Sequence, residues 1–195
     1  MNYGAKKTII ILLHLFTWPF SLTSIIGIKY FSSETIYDFS AKLLSLIPSL
    51  PGQYLRASFY KLTLKQSHYD LLVGFGSFFA QTNIYVGRKV AIGNYSIIGT
   101  SKIGNNVLIS SRVSIISGKY QHSNGKFSKP SSDMHGEFKQ IVIGNDCWLG
   151  ENSIVMENIG NGVIVSAGSV VTKPAPCNVT AIGNPARFLN RDKLK

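Results

Sequence analysis

Between Ser117 and Gln140 the chain reads SGKYQHSNGKFSKPSSDMHGEFKQ, and this stretch holds both histidines found beyond Val73, His122 and His135. Imidazole is the side chain whose ordinary pKa lets it take a proton near neutral pH, so either ring suits a general base acting on a hydroxyl. Asp133 and Glu137 stand close by in sequence and are possible orienting groups; spacing does not choose between them. Cys147 would suit a covalent intermediate. It sits beside Trp148 inside an aliphatic stretch, where a small buried side chain is the ordinary reading. A histidine-bound metal of the zinc type takes three such ligands, and this region offers two, so no metal is expected. The motifs HExxH, GxxxxGK[ST], GxSxG and GxGxxG are all missing, which leaves metalloprotease, P-loop, hydrolase-elbow and dinucleotide readings without support.

The stretch interrupts a period. On either side of it aliphatic residues recur every six positions: Val86, Ile92, Ile98; Ile103, Ile109, Ile115; Ile143, Leu149, Val155; Ile159, Val165, Val171. Val107 and Val113 form a second set four residues on from Ile103 and Ile109. The frame slips by one between Ile92 and Ile103 and by two between Val155 and Ile159. Six is a multiple of the strand repeat, so each marked side chain points to the same side of its short strand. Ile-Gly-Asn occurs at Ile92, Ile103, Ile143, Ile159 and Ile182, and its Gly and Asn suit corners because both tolerate positive φ. Short strand, corner, short strand describes a solenoid that stacks Ile and Val along its axis, a hexapeptide β-helix. A loop of this length adds nothing to such a stack, and long loops in compact domains are commonly functional.

The chain is 45% hydrophobic and 15% charged, which is not a disordered composition. Its net charge of +11 points to an anionic partner, whether nucleic acid, lipid headgroup or phosphate-bearing ligand. No basic-aromatic motif supports nucleic acid. Cys147 and Cys177 make no disulfide framework. Residues 1–70 read as an apolar and amphipathic helical region. Thr8–Ile28 is long enough to cross a bilayer but carries His14, Thr17, Pro19, Ser21, Thr23 and Ser24. Lysines flank both of its ends, so the favoured reading is a segment lying on or dipping into a membrane face. A span, or burial against the protein, are the alternatives. Two helices are expected next. One puts Ile36, Phe39, Leu43, Ile47 and Leu50 on its apolar face and is broken by Pro48. The second follows Pro51-Gly52 with Leu55, Phe59 and Leu62 on one side, leaving Arg56, Lys61 and Lys65 to the other.

The hexads together with IGNDCWLGE, SAGSVVTK and AIGNPAR resemble the hexapeptide-repeat acyltransferases, and most of all the sugar O-acetyltransferases of bacterial exopolysaccharide and O-antigen synthesis. The resemblance covers about Val73 to Arg187. It implies an all-β, left-handed parallel β-helix behind the helical N-terminal segment, with a domain at 71–187, the inserted loop at 117–140 and a basic tail at 188–195. Handedness rests on the likeness alone, since the general crossover rule gives the right-handed form. The likeness implies acetyl-CoA as donor and a homotrimer with sites between subunits; the apolar, basic N-terminal region adds the expectation of a cytoplasmic enzyme peripheral to the inner face of the bacterial cytoplasmic membrane. His122 matches the family's catalytic base, with His135 in reserve. Maltose and galactoside enzymes reach their histidine two residues sooner, where this chain has Tyr120. Trp148, Gly150, Ala167 and Gly168 match positions along the pantetheine arm, and Thr172, Lys173 and Arg187 match the nucleotide end, with Lys173 and Arg187 facing phosphates. Relatives carry another arginine three residues past Arg187; Asn190 stands there, so Arg191 takes that contact or it is missing. The rival readings are N-acetylation of an amino-sugar nucleotide and a non-catalytic or metal-binding β-helix.

Overall fold

The computed structural model describes residues 3–31, 33–117 and 139–190. Helices α1 (Tyr3–Phe31), α2 (Thr35–Ser45) and α3 (Ser49–Thr63) come first, followed by short strands that wind repeatedly through three sheets. Sheet A holds β3 (Tyr85–Val86), β6 (Ser101–Ile103) and β9 (Ile141–Ile143). Sheet B holds β1 (Leu72–Val73), β4 (Ala91–Ile92), β7 (Leu108–Ile109), β10 (Trp148–Leu149), β12 (Ile164–Val165), β14 (Val179–Ile182) and β15 (Arg187–Asn190). Sheet C holds β2 (Phe78–Phe79), β5 (Ile97–Ile98), β8 (Ser114–Ile115), β11 (Ile154–Val155) and β13 (Val170–Val171). Each coil visits A, then B, then C. Every pairing is parallel except that of β15, which folds back antiparallel on β14 and carries the chain to Asn190, inside the stretch expected as tail.

All the hexad residues are buried and in register, as in Ile92↔Ile109↔Leu149↔Val165 and Ile98↔Ile115↔Val155↔Val171. Val107 and Val113 are buried with them. The corners work differently from the expectation. In four of the Ile-Gly-Asn repeats the positive φ falls on the next residue: Tyr95, Asn106, Asp146 and Gly162. The glycine is needed for space, because a Cβ on Gly144 would stand 2.6 Å from the backbone nitrogen of Asn161 in the next coil. The asparagine is a rung. Asn145 Oδ1 accepts the backbone N–H of Asn105 at 2.8 Å, and the Asn145 N–H donates to Asn161 Oδ1 at 2.7 Å. Corner backbone that no strand can satisfy is thus paired by side chains.

The helices pack on one another and on the first coil, where Tyr37, Phe59, Tyr60 and Phe79 join the solenoid core. Two expectations fail here. Ile36, Phe39, Leu43 and Leu50 are exposed, while Tyr37, Ala41 and Leu44 form the buried face of α2. The Tyr37 hydroxyl reaches the Phe79 carbonyl at 3.0 Å, so a polar tip anchors the face that wins. The helix expected after Pro51-Gly52 starts at Ser49, and Arg56 is fully buried. Its guanidinium donates to the carbonyls of Leu44, Ser45 and Ile47 and to that of Val73. The Leu44 and Ser45 carbonyls also accept the Ile47 and Gly76 N–H groups at 3.4 and 2.8 Å, so the buried arginine completes the cap at the end of α2 and ties it to β1.

Candidate active site

The corners between sheets B and C stack into one edge of the coil, and four of the expected donor-site residues lie along it. Trp148 projects outward from β10, half-exposed, and its indole N–H donates to Ser110 Oγ at 3.1 Å. Gly150 donates to the Val165 carbonyl at 2.7 Å, and a Cβ there would stand 2.6 Å from the Ala167 nitrogen. Coil packing therefore already requires this glycine. Gly168 is different. Its φ is +68°, its N–H donates to the Glu151 carbonyl at 2.8 Å, and nothing lies within 4 Å of where a Cβ would stand. The exposed Ala167–Gly168 turn leaves room for an extended ligand to run against bare backbone.

At the end of the same coil Thr172, Lys173 and Arg187 come together. With Ile182, Gly183, Asn184, Pro185 and Ala186 they line a cleft of about 630 Å³. The cleft wall is fixed at both ends: Ser169 Oγ accepts the Gly183 N–H at 3.0 Å, and the Ala186 N–H donates to the Val170 carbonyl at 2.8 Å. The Asn184–Pro185 bond is cis. The β14–β15 register sets Arg187 opposite Ile182, at the rim. Lys173 and Arg187 are exposed, and among the described residues neither has an acidic partner. Two cations without an acidic partner among the described residues thus stand around one cleft that has no carboxylate in its lining, an arrangement that attracts anions. Sequence reasoning missed Gly183 to Ala186 as lining. The available signal was the fifth Ile-Gly-Asn, which alone is followed by proline.

His122, His135, Asp133 and Glu137 lie outside the described residues, as do Tyr120 and Arg191. The roots of their loop are defined. The chain leaves after β8 at Ser117 and re-enters before β9 at Lys139, whose N–H donates to the Ser117 carbonyl at 3.0 Å. This is the edge between sheets C and A, not the edge of Trp148 and Gly168. Thr172 and Lys173 lie on the loop's edge, two coils further on, since Ile116 bonds Val155 and Met156 bonds Val171. That is about 10 Å of rise at the usual strand spacing. Glu157, which the sequence did not single out, is a buried carboxylate at this root and accepts from Lys139 Nζ at 3.0 Å. Cys147 is buried, with its Sγ 3.1 Å from the Gly160 carbonyl, and burial pushes its thiol up. A thiol so placed is a packing group rather than a nucleophile. Among the described residues no three His, Cys, Asp or Glu side chains group as a metal site.

No family model matches the chain. It is 37% identical over 127 residues to "Putative lipopolysaccharide biosynthesis O-acetyl transferase WbbJ" of Escherichia coli (strain K12), an alignment covering 60% of this chain and 62% of that one. The chain spans about three fifths of the length of the curated relatives it matches. Among solved structures, a galactoside acetyltransferase in complex with coenzyme A superposes with a TM-score of 0.62 and 25% identity, covering 80% of this chain and 82% of that one. A maltose O-acetyltransferase from Clostridium difficile 630 superposes with a TM-score of 0.65 at 22% identity, covering 85% and 89%, and speaks for the fold. In repeat, coil and aligned sequence alike, the chain is a homologue of the hexapeptide-repeat acetyltransferases.

Proposed function

We propose that the protein is an acetyl-CoA-dependent O-acetyltransferase that acts on a sugar hydroxyl during synthesis of a bacterial surface polysaccharide. The observation that carries the reading is the cleft in which Lys173 and Arg187 stand, without acidic partners among the described residues, on a hexapeptide coil. A donor with phosphates at one end and a thin pantetheine arm fits cations at the coil's end and bare backbone at Ala167–Gly168. The coenzyme A held by the galactoside acetyltransferase and the lipopolysaccharide name of the 37% identical relative support donor and acceptor class respectively. The coil is taken as left-handed, spanning 71–187 behind a helical region at 1–70, with the loop at 117–140 and the tail following β15.

His122 is the base in this scheme. Its imidazole takes the proton of the acceptor hydroxyl as the oxygen attacks the thioester carbonyl. A backbone N–H holds the oxyanion, the C–S bond breaks, and the proton passes to the leaving thiolate. The loop roots on one edge and the pantetheine positions on another, so one chain completes the site only if its loop reaches across sheet C. A homotrimer removes the difficulty by bringing the loop of one subunit to the donor edge of its neighbour. Outward apolar rows on sheet B (Leu108, Trp148, Ile164) and sheet C (Phe78, Ile97, Ile154) supply faces for such contacts. The enzyme is placed at the inner face of the cytoplasmic membrane, where acetyl-CoA is available.

The test is thiol release from acetyl-CoA against a panel of sugar acceptors, with wild type beside His122→Ala. The variant is expected to turn over about 10²- to 10⁴-fold more slowly. Near-normal turnover removes His122 from the chemistry, and acetylation confined to amino-sugar nucleotides converts the reading to N-acetyl transfer.

A further inference from the structure

Helix α1 is packed inside out. Thr17, Ser21 and Ser24 are buried with Ile10 and Gly27, whereas Leu12, Leu15, Phe16, Trp18, Leu22 and Ile26 face outward. Leu15 is 78% exposed and Phe16 69%, more than a solvent-facing helix surface ordinarily leaves bare. The inward polar stripe is held to the protein at its N-terminal half, while buried Ser21 Oγ has no partner among the described residues. Ser58 Oγ on α3 lies 2.7 Å from both Thr17 Oγ1 and His14 Nδ1, and Lys6 Nζ donates to the Leu71 carbonyl at 3.1 Å. Ser24 satisfies itself on the Phe20 carbonyl. The side of α1 that a spanning helix would have to show to lipid is therefore the side bonded to α3.

We propose that α1 is a monotopic anchor lying in the plane of a bilayer rich in anionic lipid, its outward face sunk into the acyl boundary and both of its ends on one side of the membrane. The helix has 29 residues and a mean hydropathy of 1.9 over its most apolar window, so length alone would equally permit a crossing. The bonded inner stripe decides against it. At 100° per residue Lys7, Trp18 and Lys29 fall on one flank of the outward face, the depth at which lysine ammonium groups and indoles meet headgroups. Lys7 and Lys29 have no acidic partner among the described residues and lie over the rings of Tyr69 and Tyr30. A cationic flank along an apolar face matches an anionic bilayer; pairing with a second copy would set like charges together. The adjoining α2 adds exposed Ile36, Phe39 and Leu43 to the apolar surface of the bundle. This deepens the membrane-surface placement above and rests on no step of acetyl transfer.

The purified full chain is floated with phosphatidylcholine vesicles lacking or containing phosphatidylglycerol. Wild type is expected to float with the anionic vesicles. Leu15→Glu combined with Leu22→Glu should float at least about tenfold less while keeping its circular dichroism. Lys7→Gln with Lys29→Gln should lose roughly thirtyfold on anionic vesicles and change little on neutral ones. In a Cys177→Ser background, Tyr3→Cys and Tyr30→Cys added to sealed vesicles should both react with an impermeant maleimide. Protection of one of them would mean that α1 crosses, and would overturn the proposal. So would wild type that fails to float, or a glutamate pair that changes only the oligomeric mass. Thiol release by the same samples, read separately, reports on the catalytic proposal alone.

Discussion

Gly144 and Asn145 show how a period in the sequence becomes a stack of coils. The glycine clears the next backbone and the asparagine pairs it on both sides. Asn145→Ala leaves the Asn105 N–H without its partner, and a loss of roughly 1 kcal/mol is expected from urea unfolding. Sequence showed that these residues sit at corners, because Gly and Asn are turn formers. It did not show that the positive φ falls one residue later, since that depends on contact between coils rather than on local preference. At the cleft, Lys173→Ala and Arg187→Ala should each raise the KM for acetyl-CoA about tenfold with kcat little changed, as expected when one charge-assisted hydrogen bond to phosphate is lost. Steady-state kinetics with the donor varied checks this; an unchanged KM in both would detach the cleft from the donor. Cys147 is expected to stay silent toward a thiol reagent at pH 8 in the folded protein, because burial raises its pKa and its Sγ is enclosed. Counting reacted thiols before and after denaturation should show Cys177 first and Cys147 only on unfolding.

Among the elements, the short strands were legible and the helices only in outline. A strand of the coil has one inside, and the aliphatic hexads name it. Helix α2 has two plausible apolar faces, and periodicity cannot rank Ile36, Phe39 and Leu43 above Tyr37, Ala41 and Leu44. The choice is made by tertiary partners: Tyr37 stacks on Phe59 and bonds the Phe79 carbonyl, which no local pattern encodes. Arg56 escaped the sequence for a related reason, because a charged residue on an amphipathic helix reads as solvated. Its guanidinium instead ties the end of α2 to β1. Arg56→Met should cost on the order of 3 kcal/mol or more, since several buried carbonyls lose a charged donor at once. The measurement is the shift in chemical unfolding midpoint; a change below about 1 kcal/mol would mean those carbonyls find other partners. In the coil, Ile109→Ala empties space on the axis and is expected to cost about 2–5 kcal/mol.

For the molecule as a whole, the proposed donor positions could be named from the sequence because they lie within the repeat, in the segments IGNDCWLGE, SAGSVVTK and AIGNPAR that resemble the family's. Their separation from the loop root was not, because it depends on which edge of the coil each corner occupies. If the proposed trimer forms through this face, Leu108→Arg on the outward row of sheet B should turn it into smaller species and reduce thiol release with it, while the coil itself stays folded. Light scattering after size exclusion checks the mass, and a stable, fully active monomer would contradict shared sites. The joint between Ser117 and Lys139 carries one more consequence. The coil closes across that joint through a 3.0 Å backbone bond, and β8 and β9 keep their neighbours whatever the chain does in between. The insert is therefore an exchangeable cassette on a fixed chassis: under the proposed reaction, a lineage that rewrites this segment changes what meets the acceptor without rebuilding the coil that carries it.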